Sequence, residues 1–116
     1  MESPLDPEAL GKIRQLGGDE LLAKTLDIFL GEIPGQIERA REGAARGDAE
    51  AVRRAVHRVI PAAGMLGARE LLQVARWVEQ QSVETALDSL SPMVAEVEAE
   101  YRLVEVLIRR EREALS

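Results

Sequence analysis

Among the side chains able to do nucleophilic or acid–base chemistry, one stands alone. His57 is the sole histidine of the 116 residues and there is no cysteine. No thiolate nucleophile, Cys/His zinc site or disulfide framework can therefore be assembled, and any imidazole chemistry must pass through this residue. The charge reverses around it: the chain carries −6 overall, whereas the stretch from Arg39 to Arg58 holds six arginines against Glu42, Asp48 and Glu50, a local +3. That reversal favours an acidic partner or an added phosphoryl group near His57. The carboxylates point to no enzyme. Glu96, Glu98, Glu100 and Glu105 alternate around a helical period, and no glutamate stands three residues before the histidine as in the di-iron sites of bundles. Glycine-rich phosphate loops, nucleophile elbows and metal-binding motifs are missing from the sequence, so neither metal nor cofactor is expected.

The elements that must position His57 are helical. Ala, Glu, Arg and Leu dominate, with Phe29, Trp77 and Tyr101 the only aromatics, a composition that favours helices packed on helices. Asp6-Pro7-Glu8 reads as a capped helix start, and the short helix it opens should end near Gly17-Gly18. From Asp19 to about Arg46, apolar or small residues at Leu22, Leu26, Phe29, Ile33, Ile37, Ala40 and Ala44 keep a 3.6-residue period. Pro34 lies inside this long helix as a possible kink, and Gly47-Asp48 stops it and caps the next. A third helix comes next with Val52, Val56, Val59, Ala63 and Leu66, breaking between Gly64 and Gly67. The fourth opens at Gly67-Ala68 with Leu71, Val74 or Ala75, and Val78, and runs out at Gln80-Gln81-Ser82. In the last, Val83, Leu87, Leu90, Val94, Val97, Tyr101, Val104 and Ile108 alternate by four and three, which predicts one helix from about Val83 to Arg112 with a bend at Pro92. A fresh start at Ser91-Pro92 is the less favoured option. Short connections make sequence neighbours antiparallel. The expected fold is all-α: a single domain over residues 1–116, an antiparallel up-down-up-down four-helix bundle with a short N-terminal helix.

With Val52, Val56, Val59 and Ala63 as the buried stripe, His57 is rotated about 100° from Val56 onto the helix flank. It shares that flank with Arg53, Arg54, Ile60, Pro61 and Gly64, within reach of another protein. A solitary surface histidine on a solvated, arginine-rich face is also compatible with no role at all.

The stretch Asp48 to Glu79, DAEAVRRAVHRVIPAAGMLGARELLQVARWVE, resembles the histidine-containing phosphotransfer (HPt) domain family, whose signature is approximately D-x8-H-x-L-K-G-S/A-x4-G-A followed by a helix ending in L-E. Asp48 stands nine residues before His57, Val59 at the Leu position, Ala62 at the Ser/Ala position, Gly67-Ala68 ten and eleven residues on, and Val78-Glu79 at the close. The preceding helix with Phe29 is similar to the first bundle helix of the family. The resemblance implies that His57 is the phosphoacceptor, forming a phosphoramidate, usually through Nε2. It implies a carrier rather than a catalyst, with the metal ion and acidic pocket supplied by the partner, a response-regulator receiver domain, and with a hybrid histidine kinase as the other candidate partner.

Two positions differ from the family pattern: its Lys is Ile60 here and its Gly is Pro61. Proline has no N–H for the carbonyl of His57 and its ring crowds that carbonyl, a cost of about 3 kcal/mol in an ideal helix, so a kink or loosened turn is predicted between His57 and Pro61. Arg53, Arg54 or Arg58 could stand in for the lysine charge. Two readings of function result: a working phosphocarrier in a multistep relay, or a degenerate bundle that binds a receiver or other signalling partner without transfer. A third, an unrelated adaptor or dimerisation module, draws on Leu103, Val106 and Leu107 beside the core stripe of the last helix. Packing of Leu10, Ile13 and Leu16 there is the preferred explanation, and a monomer is expected. Trp77 either caps the bundle edge or marks a docking surface, the former preferred. The amino terminus is acidic and lacks a signal-peptide layout, so a cytoplasmic location is expected, without membrane span. The acidic balance argues against nucleic acid as a partner.

Overall fold

The computed structural model describes residues 3–116, and among these there is no strand. Met1 and Glu2, which open the acidic amino terminus, lie outside the described residues. Among the described residues there are five α-helices and one 3₁₀ turn: α1 (Pro7–Ala45), α2 (Ala49–His57), α3 (Val59–Met65), α4 (Arg69–Gln81), the turn Leu87–Ser89 and α5 (Leu90–Ala114). Around the bundle, α1 packs against α2 and α5, and α4 closes the ring by packing against the same two.

The expected caps form. Asp6 accepts from the backbone N–H of Glu8 at the start of α1, and Pro7 occupies the first helical position, where its missing N–H is no loss. The helical run of α1 is interrupted at Gly17 (φ −151°) and Gly18 (φ +71°), and Arg14 pairs with Asp19 at 2.7 Å across the break. Pro34 causes no comparable departure. It sits on the exposed face of α1, with helical backbone through it.

Two turns have the same glycine-based ending. Gly47 and Gly67 adopt φ of +71° and +66°. At each, the glycine N–H returns to the residue three before it, and the next N–H returns five residues, Asp48 to Gly43 at 2.8 Å and Ala68 to Ala63 at 2.9 Å. This Schellman geometry satisfies the last helical carbonyls and reverses the chain tightly.

The core is aliphatic. Leu26, Val52, Ala63, Leu71, Ala75, Val78, Leu90 and Ile108 are wholly buried, and Phe29 packs on Tyr101 with ring centroids 5.8 Å apart. Truncating such a leucine to alanine removes about 2–5 kcal/mol. Ala75 rather than Val74 takes the central position of α4; Val74 is half-buried.

The last helix corrects the expected boundary. It starts at Leu90, not near Val83, and Val83 and Leu87 are 52% and 60% exposed although they keep the heptad phase. The reason is Pro92. It falls in the first turn of α5, where an N–H is unpaired in any helix, whereas mid-helix it would break a hydrogen bond. The chain therefore leaves α4, passes through the 3₁₀ turn and begins afresh, close to the less favoured Ser91-Pro92 start. The leading segment covers α5 in part: Leu10 and Ile13 are buried and Leu107 is half-buried, but Leu16, Leu103 and Val106 remain exposed.

Candidate functional site

The site is built from the end of α2 outward. Asp48 caps α2 through its side chain, which accepts from the Ala51 N–H at 3.0 Å. Gly43 of α1 admits this turn closely: a Cβ there would lie 3.1 Å from that of Ala51 and 3.2 Å from the Val52 nitrogen. Val52, Ala55 and Val56 bury the inner face of α2, and the rotation of about 100° per residue then carries His57 to the surface with its side chain 61% exposed.

His57 is the last residue of α2. Arg58 (φ −70°, ψ −17°) separates it from α3, so the helix is broken where the sequence predicts a loosened turn. Pro61 supplies no N–H to the His57 carbonyl, and Val59 and Ala63 anchor α3 in the core. Ile60 is half-buried, while Pro61 and Gly64 are exposed, and a Cβ on Gly64 would meet nothing within 4 Å. Gly67 is drawn into a different job. Its carbonyl accepts from the Asp6 N–H at 3.0 Å, and a Cβ there would come within 2.5 Å of Asp6.

The contact that sequence reasoning missed comes from α4. Nδ1 of His57 hydrogen-bonds to the Glu79 carboxylate, whose side chain is only 25% exposed. A carboxylate can only accept, so the proton of the neutral ring sits on Nδ1 and the lone pair on Nε2. Glu79 was legible only as the last residue of the motif; its distance of 22 residues from His57 gave no local signal. Trp77, two residues before it and so about 200° away around α4, lies off this face and is 45% exposed.

The flanking arginines divide. Arg53 is held by Glu50, Nε to Oε2 at 3.0 Å, which raises the pKa of Arg53 and lowers that of Glu50 through their hydrogen bond. Arg54 and Arg58 face a depression between α1 and α2, together with Arg39 and Arg46. On the other side of Arg58 runs an apolar groove between α1 and α3, lined by Ile28, Phe29, Ile33, Pro61, Ala62 and Met65, with Ile28 and Met65 more than half exposed. Among the described residues no cluster of three acidic or histidine side chains comes together to hold a metal ion.

The profile of the Hpt domain family matches residues 24–112 of this all-helical chain. The chain belongs to the Hpt domain family. Hpt domains carry phosphoryl groups in two-component phosphorelays and are not themselves enzymes. No functionally curated protein matches the sequence. Among solved structures, histidine-containing phosphotransfer protein B of Pseudomonas aeruginosa PAO1 superposes with a TM-score of 0.89 at 20% identity, covering 98% of each chain. At that identity the likeness concerns the fold. Among the described residues of this Hpt domain no helix is long and apolar enough to cross a membrane.

Proposed function

We propose that this Hpt domain accepts a phosphoryl group on Nε2 of His57 and passes it between the aspartate of a kinase-linked receiver and a response-regulator receiver domain. The observation that carries the reading is the His57–Glu79 hydrogen bond. It selects the Nδ1–H tautomer, leaving the Nε2 lone pair to attack phosphorus in line. As the N–P bond forms and the P–O bond to aspartate breaks, the departing carboxylate takes the electron pair, and the ring becomes positive. The Glu79 carboxylate offsets that charge, as the buried aspartate of a catalytic triad does for its histidine. Return transfer reverses these steps.

Receiver and hybrid kinase are the partners of this reading, and the domain acts as a cytoplasmic monomer without metal or cofactor of its own. The whole chain 1–116 works as one domain, an up-down-up-down bundle in which the segment before Gly17 is a short separate helix. Arg54 and Arg58 supply positive charge in place of the lysine replaced by Ile60, and exposed Gly64 leaves room for the receiver. A second reading, a bundle that binds a signalling partner without transfer, is favoured by Ile60 and Pro61 alone.

The test is incubation of the purified domain with receiver domains phosphorylated at aspartate, with His57→Gln as control. Acid-labile, alkali-stable label on the wild type and none on the control is the expected result. Receiver binding without label would establish the second reading instead.

A further inference from the structure

Two helices bring three charged side chains to the flank that carries His57. Glu50, Arg53 and His57 follow at steps of three and four along α2 and so share one face, and a helical side chain at His57 leans back over the turn of Arg53. Packing of α4 against α2 then delivers Glu79 to Nδ1 of the ring. Glu50 grips Arg53 at two points, Nε to Oε2 at 3.0 Å and Nη2 to Oε1. That fork occupies two of the five guanidinium N–H donors and leaves both hydrogens of Nη1 outside it. Glu79 acts on this cation as well: the hydrogen bond and the charge of Glu50 come first in raising the pKa of Arg53, and the charge of Glu79 adds to them. The Glu79 carboxylate itself has one hydrogen-bond partner among the described residues, Nδ1 of His57. Buried Ser82 donates to the Glu79 backbone carbonyl at 3.4 Å, which fixes the main chain at the end of α4 but not the carboxylate.

We infer that Arg53 is a positioning residue for phosphotransfer: clamped by Glu50, it holds the Glu79 carboxylate against Nδ1 of His57. The inference rests on the proposed phosphotransfer role and adds what keeps the acceptor of the Nδ1 proton in place. A glutamate side chain is flexible, and Glu79, two residues from the end of α4 and a quarter exposed, can turn its carboxylate into water. Once it does, Nδ1 has lost its acceptor and the ring proton is free to settle on Nε2, where it blocks the lone pair that attacks phosphorus. A guanidinium already fixed by a second carboxylate opposes that swing without giving up further freedom of its own. Arg54 and Arg58 face the depression toward α1 instead, so among the three arginines next to His57 this duty falls to Arg53.

The experiment labels His57 of the full chain with potassium phosphoramidate, a small donor that needs no docking. The Nε2 lone pair attacks phosphorus as the P–N bond of the donor breaks, and ammonia leaves with the electron pair. Ring nitrogen chemical shifts, recorded on the same samples before labelling, report the tautomer. Expected in Arg53→Gln is labelling slowed about fivefold with Nε2–H gaining population, and in Arg53→Lys, which keeps the charge, recovery of most of that loss. Glu50→Gln, which loosens the clamp, should shift both readouts the same way by less. In a Glu79→Ala background Arg53→Gln should change nothing further, because an effect routed through Glu79 vanishes with it. Thermal melts followed by circular dichroism confirm that the variants fold, and Glu50→Gln decides the matter should Arg53→Gln not do so. An unchanged tautomer or an unchanged labelling rate would overturn the inference, as would the full fivefold loss persisting in the Glu79→Ala background. The two readings fail separately. Ring shifts and phosphoramidate labelling that follow Arg53, in a domain that takes no phosphoryl group from a phosphorylated receiver, defeat only the phosphotransfer reading; receiver-dependent label that is equal in wild type and Arg53→Gln defeats only the positioning role.

Discussion

His57 at the end of α2 donates its Nδ1–H to Glu79, two residues from the end of α4, so the tautomer of the single histidine is set by a residue on another helix. A packed bundle holds this relationship rigidly, because Val56 and Val78, the immediate neighbours of the two, are both essentially buried.

Replacement of Glu79 should separate orientation from charge. Glu79→Gln keeps an oxygen that accepts from Nδ1 but removes the negative charge, and Glu79→Ala removes both. We expect His57 phosphorylation to slow about tenfold in Gln and further in Ala, consistent with the worth of a partly exposed charge-assisted hydrogen bond. Nitrogen chemical shifts of the ring should show Nε2–H gaining population in Ala and little change in Gln.

Ile60→Lys together with Pro61→Gly restores both family residues next to the site. An added ammonium one turn from His57 should speed transfer about tenfold, and the new N–H at position 61 should become protected from hydrogen exchange by the His57 carbonyl. Transfer that does not quicken would refute the physical account of these two positions.

Gly67→Ala is expected to destabilise the fold by about 2–4 kcal/mol, from a left-handed backbone that alanine resists and a Cβ driven into Asp6. The midpoint of urea unfolding measures it. Asp48→Ala, by loss of one cap, should cost about 1 kcal/mol.

Tyr101 gives the stability a pH dependence at the alkaline end. Burial, then the charge of Glu105 and the hydrogen bond to it, raise its pKa above the ordinary 10.0. The folded state therefore holds this proton more tightly than the unfolded one. The stabilisation is complete below about pH 10 and is lost as pH rises through the raised folded value. Tyr101→Phe should flatten that part of the stability profile in urea melts taken between pH 8 and 11.

Helix identity, caps and the phase of the core were local properties of this sequence. Asp6, Asp48, Gly47 and Gly67 carry their signals within four residues, and the stripe Leu22, Leu26, Phe29, Ile33 needs only the helical period to be read. The same local logic placed His57 on the flank of its helix and foresaw the loosened turn before Pro61. It failed at Val83 and Leu87, whose heptad phase cannot report that Pro92 makes the helix begin at Leu90. Only the tertiary structure decided which side chain meets the histidine and which arginines remain unpaired. Glu79 lies 22 residues away on a different helix, and that Arg54 and Arg58 line a depression with Arg39 depends on how α2 packs against α1. Local periodicity fixes the direction of a side chain from its own axis; its partner is fixed by how the axes pack.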